Sequence, residues 1–242
     1  MIEFYELFDD ENVPYRCDVD LDLIDTAPQE DKNWLLWLFI KADVLDERLI
    51  DFSKDLINTL ETSMEGVFAG RVMKEGWAEF YFYAPHSKRF ENITFDVIAR
   101  HGGYAYERGS SRDSKWEMYL DNLFPDPYGL LSIQNRQTIA ALVEAGDDLN
   151  IAREVEHYLF FQTKTSMERA VTQLSSYAYE VKEYVTDNES DYAYGVVLIK
   201  TEPITPEIVS DTTTSLYESA IQEHGIYEGW STILGEKNNG AE

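Results

Sequence analysis

Apolar and polar positions along this chain change period several times, and each change marks an element. Residues 18–23 alternate Asp-Val-Asp-Leu-Asp-Leu, which puts Val19, Leu21 and Leu23 on one face and predicts a half-buried strand. After a polar linker over 26–33, Trp34–Lys41 is apolar almost throughout and reads as a fully buried strand. Leu45, Leu49, Phe52, Leu56 and Leu60 then recur every three or four residues, the spacing of one helix face. Strands are predicted over 67–73 and 77–84, joined by a turn at Lys74-Glu75-Gly76. Phe90, Ile93 and Val97 give a second helical stripe, stopped by Gly102 and Gly103, and 104–108 makes a short last strand. A short helix holding Trp116, Tyr119, Leu120 and Leu123 ends at the breaker run Pro125-Asp126-Pro127.

The second half repeats the order. A leading helix over 133–144 ends at Gly146, and 154–162 reads as a strand rich in aromatic residues. Thr165-Ser166-Met167-Glu168 has the spacing of a capping box, opening a helix with Met167, Ala170, Val171 and Leu174 on its apolar side. Two strands over 177–185 and 192–200 flank an acidic loop. Thr205 as N-cap and Pro206 in the first helical position start another helix, which carries Val209, Leu216 and Ala220 and stops at Gly225. A strand over 226–234 closes the unit. Both halves end their second helix alike, with His101-Gly102-Gly103-Tyr104 and His224-Gly225-Ile226-Tyr227: a capping glycine, a histidine at the negative end of the helix dipole, and an aromatic entering the next strand.

The order β-α-β-β-α-β, read twice, predicts an α+β protein of two ferredoxin-like α/β sandwich domains with antiparallel sheets. The expected domains are 1–126, with a ferredoxin-like core over about 34–108, and 127–242, the double-proline run marking the boundary. Each sheet is expected to keep one face clear of its own helices. Such faces allow a homodimer or a partner to pack there.

Charge narrows the function. The 242 residues carry 46 Asp and Glu against 20 Lys and Arg, a formal charge of -26, while 44% hydrophobic residues supply material for packed cores. Such a surface repels phosphate backbones and anionic membranes, and the basic residues are scattered, with Lys88-Arg89 the only adjacent pair. The charge points to a protein partner with a basic surface and away from direct nucleic-acid or membrane binding. The single Cys17 permits neither an intramolecular disulfide nor a thiolate zinc site. The acidic start Met1-Ile2-Glu3-Phe4 is unlike a signal peptide, and the apolar stretch over 34–40 is too short to cross a bilayer, so a cytoplasmic protein is expected.

No catalytic, cofactor-binding or metal-binding residue emerges. The chain lacks a nucleophile elbow, a phosphate-cradling loop and a dinucleotide fingerprint. Cys17 sits among carboxylates, which would raise its pKa. Glu154 and His157 have the spacing of di-iron helices, but on a strand they point to opposite faces, and there is no second such pair. Asp18, Asp20 and Asp22 resemble the start of a calcium loop, but Leu23 stands where glycine is needed and Gln29 where glutamate is needed; an exposed carboxylate face is the better reading. His101 and His224 fall at helix ends, where dipole pairing suffices. A competing reading places an enzyme or small-molecule site on the N-terminal domain or in an interdomain cleft, lined by Trp77, Tyr81, Tyr83 and Trp116.

The candidate partner-binding residues lie in the second half. In Tyr227-Glu228-Gly229-Trp230 the glycine between large residues suggests a bulge or close backbone approach, leaving Trp230 to pack in the core or to anchor a partner. The acidic stretches Phe8-Asp9-Asp10-Glu11-Asn12 and 186–191, the latter with Asp187, Glu189 and Asp191, are solvated loops able to meet basic groups.

From about Gln134 to Leu234 the chain resembles the bacterial B-type regulators of ribonuclease E activity, the RraB family. The likeness runs through Leu142-Val-Glu-Ala-Gly-Asp-Asp148, Val155-Glu156-His157-Tyr158-Leu159, Tyr179-Glu180-Val181 and Tyr227-Glu228-Gly229-Trp230, the family usually having Tyr-Asp-Gly-Trp in the last. Residues 1–125, through Phe80-Tyr81-Phe82-Tyr83-Ala84 and Trp116-Glu117-Met118-Tyr119, resemble the uncharacterised domain commonly fused in front of such regulators. The resemblance implies a non-enzymatic protein that binds ribonuclease E and changes which RNAs it degrades.

Overall fold

A computed structural model describes residues 1–8, 11, 13–187 and 189–235; Asp9, Asp10 and Asn12 of the first acidic stretch and Asn188 of the second lie outside them. The chain divides into two compact units, Met1–Gly129 and Leu130–Glu242.

The first unit holds β1 (Ile2–Phe8), β2 (Pro14–Asp20), β3 (Trp34–Lys41), α1 (Glu47–Met64), β4 (Val67–Lys74), β5 (Trp77–Ala84), α2 (Phe90–Arg100) and β6 (Tyr106–Arg112). Its antiparallel sheet has the order β1-β2-β4-β5-β3-β6. The last four strands are the expected ferredoxin-like arrangement. The alternation in β3 buries Leu36, Leu38 and Ile40 completely against Leu49, Phe52, Leu56 and Leu60 of α1 and Val97 of α2. Asp46 starts α1 by accepting from the Leu49 N–H at 2.8 Å.

Three features of this unit depart from the sequence reading. β1 is an added strand, and the strand expected over 18–23 is the end of β2, which starts at Pro14 and stops early because Asp20 caps a 3-10 turn over Leu21–Asp25. Asp18 is not part of an exposed carboxylate face. It is 5% exposed and accepts from Arg71 Nη2 at 2.8 Å and Nε at 3.1 Å, while Arg71 also donates to Ser53 Oγ. Last, the sheet face away from α1 and α2 is partly covered. Trp116, in a left-handed conformation (φ 58°), leads into a π-helical turn over Met118–Leu123, and its ring stacks on Tyr83 at 4.0 Å. Tyr83 and Trp116 are fully buried against each other, so they do not line an open pocket.

The second unit contains most of α3 (Pro127–Glu144), then β7 (Arg153–Phe161), α4 (Lys164–Leu174), β8 (Glu180–Thr186), β9 (Tyr194–Glu202), α5 (Pro206–Gln222) and β10 (Gly225–Thr232). Its antiparallel sheet runs β10-β7-β9-β8, the ferredoxin-like order. Leu159, Phe161, Val196 and Leu198 point to one face and pack against Met167, Ala170 and Leu174 of α4 and Leu216 and Ala220 of α5.

Local chemistry shifts several boundaries here. The cap of α4 is Thr163, whose extended backbone lets its Oγ1 accept from the Ser166 N–H at 3.1 Å; Thr165 lies inside the helix. A 3-10 turn over Ser175–Tyr177 and a left-handed Ala178 (φ 63°) delay β8 to Glu180. The matching His-Gly motifs are not equivalent. Gly102 and Gly103 both take left-handed angles, whereas after α5 it is His224 that does so (φ 55°). Gly225 already belongs to the strand, where a β-carbon would lie 2.4 Å from Phe161 Cδ1.

Candidate functional site

The bulge foreseen at Gly229 is present on β10. Tyr227 faces Leu159 and Gly229 faces Tyr158, leaving Glu228 as the extra residue. Gly229 has φ 130°, and a β-carbon there would stand 2.9 Å from Gln134 Nε2. The same Gln134 amide donates to the Glu228 carbonyl at 3.4 Å, so α3 braces the kink.

The bulge turns Trp230 inward. It is 8% exposed and packs with Ile139, Val155, Ile204 and Val209. Its indole N–H donates to Asn135 Oδ1 at 2.8 Å, and Asn135 Nδ2 donates to Thr213 Oγ1 at 2.7 Å, tying β10 through α3 to α5. Tyr227 is half-buried, its hydroxyl 3.0 Å from His157 Nδ1, and burial pushes its pKa up. Trp230 and Gly229 are therefore buried parts of the frame, and Glu228 is the exposed member of the four.

His157 occupies an inward position of β7 between Val155 and Leu159 and is 1% exposed. Burial, with Lys200 adding repulsion, lowers its pKa to about 3, so the ring is neutral, and among the described residues its Nε2 has no hydrogen-bond partner. The Tyr179 ring meets His157 edge to face with centroids 5.9 Å apart, and Lys200 Nζ stands 5.1 Å from the centre of the Tyr179 ring. Glu202 pairs with Lys200 at 2.8 Å and accepts from Thr212 Oγ1 at 3.0 Å. The sequence reading missed this polar network and the Asn135–Thr213 link. A signal was available for His157, a polar residue between Val155 and Leu159 on one face of a predicted strand, whereas Glu202 lies beyond the strand predicted to end at 200.

The other candidates lie at the opposite side of the sheet. Asp187, Glu189 and Asp191 are exposed in the turn between β8 and β9, where the Asp187 N–H donates to the Ala193 carbonyl and the Asp187 carboxylate accepts from the Glu189 N–H. As β10 and β8 are the two edge strands, the bulge and the acidic turn are not brought together. β8 presents its edge and most of its side chains to solvent, with Tyr184 59% and Val181 36% exposed.

Elsewhere, burial pushes the Cys17 thiol up to about 12, removing it as a nucleophile at neutral pH. His101 Nε2 lies 3.0 Å from Asp55, beside Arg100. Among the described residues no group of three or more His, Cys, Asp or Glu is placed to hold a metal ion, and no helix is long and apolar enough to cross a membrane.

No curated protein matches the chain. A crystal structure of an unknown protein from Galdieria sulphuraria aligns at 10% identity, covering 83% of this chain and 99% of that one, with a TM-score of 0.24, too slight a likeness to bear on the fold. Residues 42–124 match a family of unknown function, DUF695. With residues 132–232 matching the family described as regulator of ribonuclease activity B, the sheet that carries the β10 bulge and the acidic turn is similar to that family across almost its whole described length.

Proposed function

We propose that the chain is a non-enzymatic regulator that binds a ribonuclease of the ribonuclease E type through its second unit. The match of residues 132–232 to the regulators of ribonuclease activity carries this reading. The formal charge of -26 supports a partner surface that is basic, such as one that otherwise holds RNA, and opposes direct contact of this chain with RNA. The exposed carboxylates of Glu228, Asp187, Glu189 and Asp191 are the groups that would meet such a surface, while Tyr227, Gly229 and Trp230 hold the strand that presents Glu228.

The test is RNA cleavage by a ribonuclease E-type enzyme with increasing amounts of the chain. The cleavage rate should change in a saturable, stoichiometric way, while the chain alone leaves RNA intact. Unchanged cleavage at full saturation of the enzyme with the chain would contradict the reading, and RNA cleavage by the chain alone would contradict its non-enzymatic part.

A further inference from the structure

The β8 edge combines three properties. It ends the sheet, so among the described residues no strand pairs with its outer side. It borders a groove of about 460 Å³ between Lys164, Met167 and Glu168 of α4 and Tyr184, Thr186 and Tyr194 on the strands. Its surroundings are also acidic: Glu183, Asp187, Glu189 and Asp191 are exposed, and among the described residues none is ion-paired. The nearby cations are already engaged, Lys164 with Glu168 and Lys182 with Glu156.

Natural edges are commonly blunted by bulges and charges, and β8 has a bulge at Lys182. That bulge defines the usable length. Beyond it, Glu183, Tyr184, Val185 and Thr186 pair regularly with Val197, Val196, Gly195 and Tyr194, and the groove lies beside this regular run. Alternation along the run sends Tyr184 and Thr186 to the helix side and Glu183 and Val185 to the other.

We propose that this run of β8 receives an extended, basic segment of the partner protein as an added strand, with apolar side chains in the groove against Tyr184 and basic ones against Glu183 and the acidic turn. Backbone pairing supplies affinity and the alternate side chains supply selectivity. The proposal rests on the regulatory reading for the identity of the partner. A second copy of this chain is the wrong occupant on charge grounds, because β8 paired with β8 would set the same carboxylates against each other.

The experiment measures binding of the full chain at low salt to a fluorescent peptide alternating arginine and valine. Controls replace arginine with glutamate, or N-methylate alternate amides in either register. The basic peptide should bind, the acidic one should not, and methylation should weaken binding at least about tenfold in one register only, because only one set of amides faces β8. Glu183→Lys with Tyr184→Ala, both at exposed positions, should weaken binding by a similar factor. Equal binding of basic and acidic peptides, indifference to methylation, or a dimer in sedimentation that Glu183→Lys dissociates would overturn the proposal. The same double variant in the ribonuclease assay separates the two ideas. Undiminished regulation by it would sink the β8 docking and leave the regulatory reading intact.

Discussion

A neutral histidine sealed beneath a sheet has a price that appears only in acid. His157 has an ordinary pKa of 6.5, and burial lowers it to about 3 in the fold. Above pH 6.5 neither state is protonated, so the full stability is present; between 6.5 and 3 the unfolded chain takes up a proton that the folded one refuses. Stability is therefore lost as pH falls through that window, by of order a few kcal/mol in total. Asp55 and Asp113 lose stability in acid too. Burial alone would raise their pKa values, but His101 and Arg100 hold Asp55 low, and Tyr83 with backbone N–H groups holds Asp113 low. The test is thus a difference: urea unfolding across this range should show a shallower pH slope for His157→Gln than for the parent, and identical slopes would refute it. Trp230 makes the second prediction at this scale. Its truncation to alanine should cost about 3–5 kcal/mol in unfolding free energy, because it empties a packed site and strands Asn135. A loss below about 1 kcal/mol would mean that the indole contributes little to packing.

At the scale of elements, the periodic stretches were legible and the caps and edges were not. Both ferredoxin-like cores follow from alternation in strands such as β3 and from the stripe of α1, which report burial directly. β1 and the start of β2 were hidden because Ile2, Phe8 and Val13 are more than half exposed, so these residues carry a blurred pattern. Asp18 was misassigned for a related reason: a carboxylate on a strand looks solvated until its cross-strand partner is known, and Arg71 stands 53 positions away. Pairing of β2 with β4 places these two residues opposite each other. Removing one partner by Asp18→Ala should cost about 3–5 kcal/mol in chemical denaturation, whereas replacing both with apolar residues of similar size should be nearly neutral. A single variant as stable as the double one would show that the pair is not coupled.

Over the whole molecule, charge and family likeness point the same way, and neither reveals the face that is used. The sequence singled out Tyr227 to Trp230 together with the acidic turn, yet sheet order sets them on opposite edges, and burial gives the aromatic residues a supporting role. Which edge meets a partner depends on strand order and on side-chain direction, and both are long-range properties that local pattern does not encode. The central claim, that an acidic surface docks on a basic ribonuclease, is tested most directly by the equilibrium affinity of the full chain for a ribonuclease E-type enzyme measured across a range of salt concentrations. Tight binding at low salt that weakens steadily as ions screen the two surfaces is the predicted result. Absence of binding at low salt, or an affinity indifferent to salt, would contradict it.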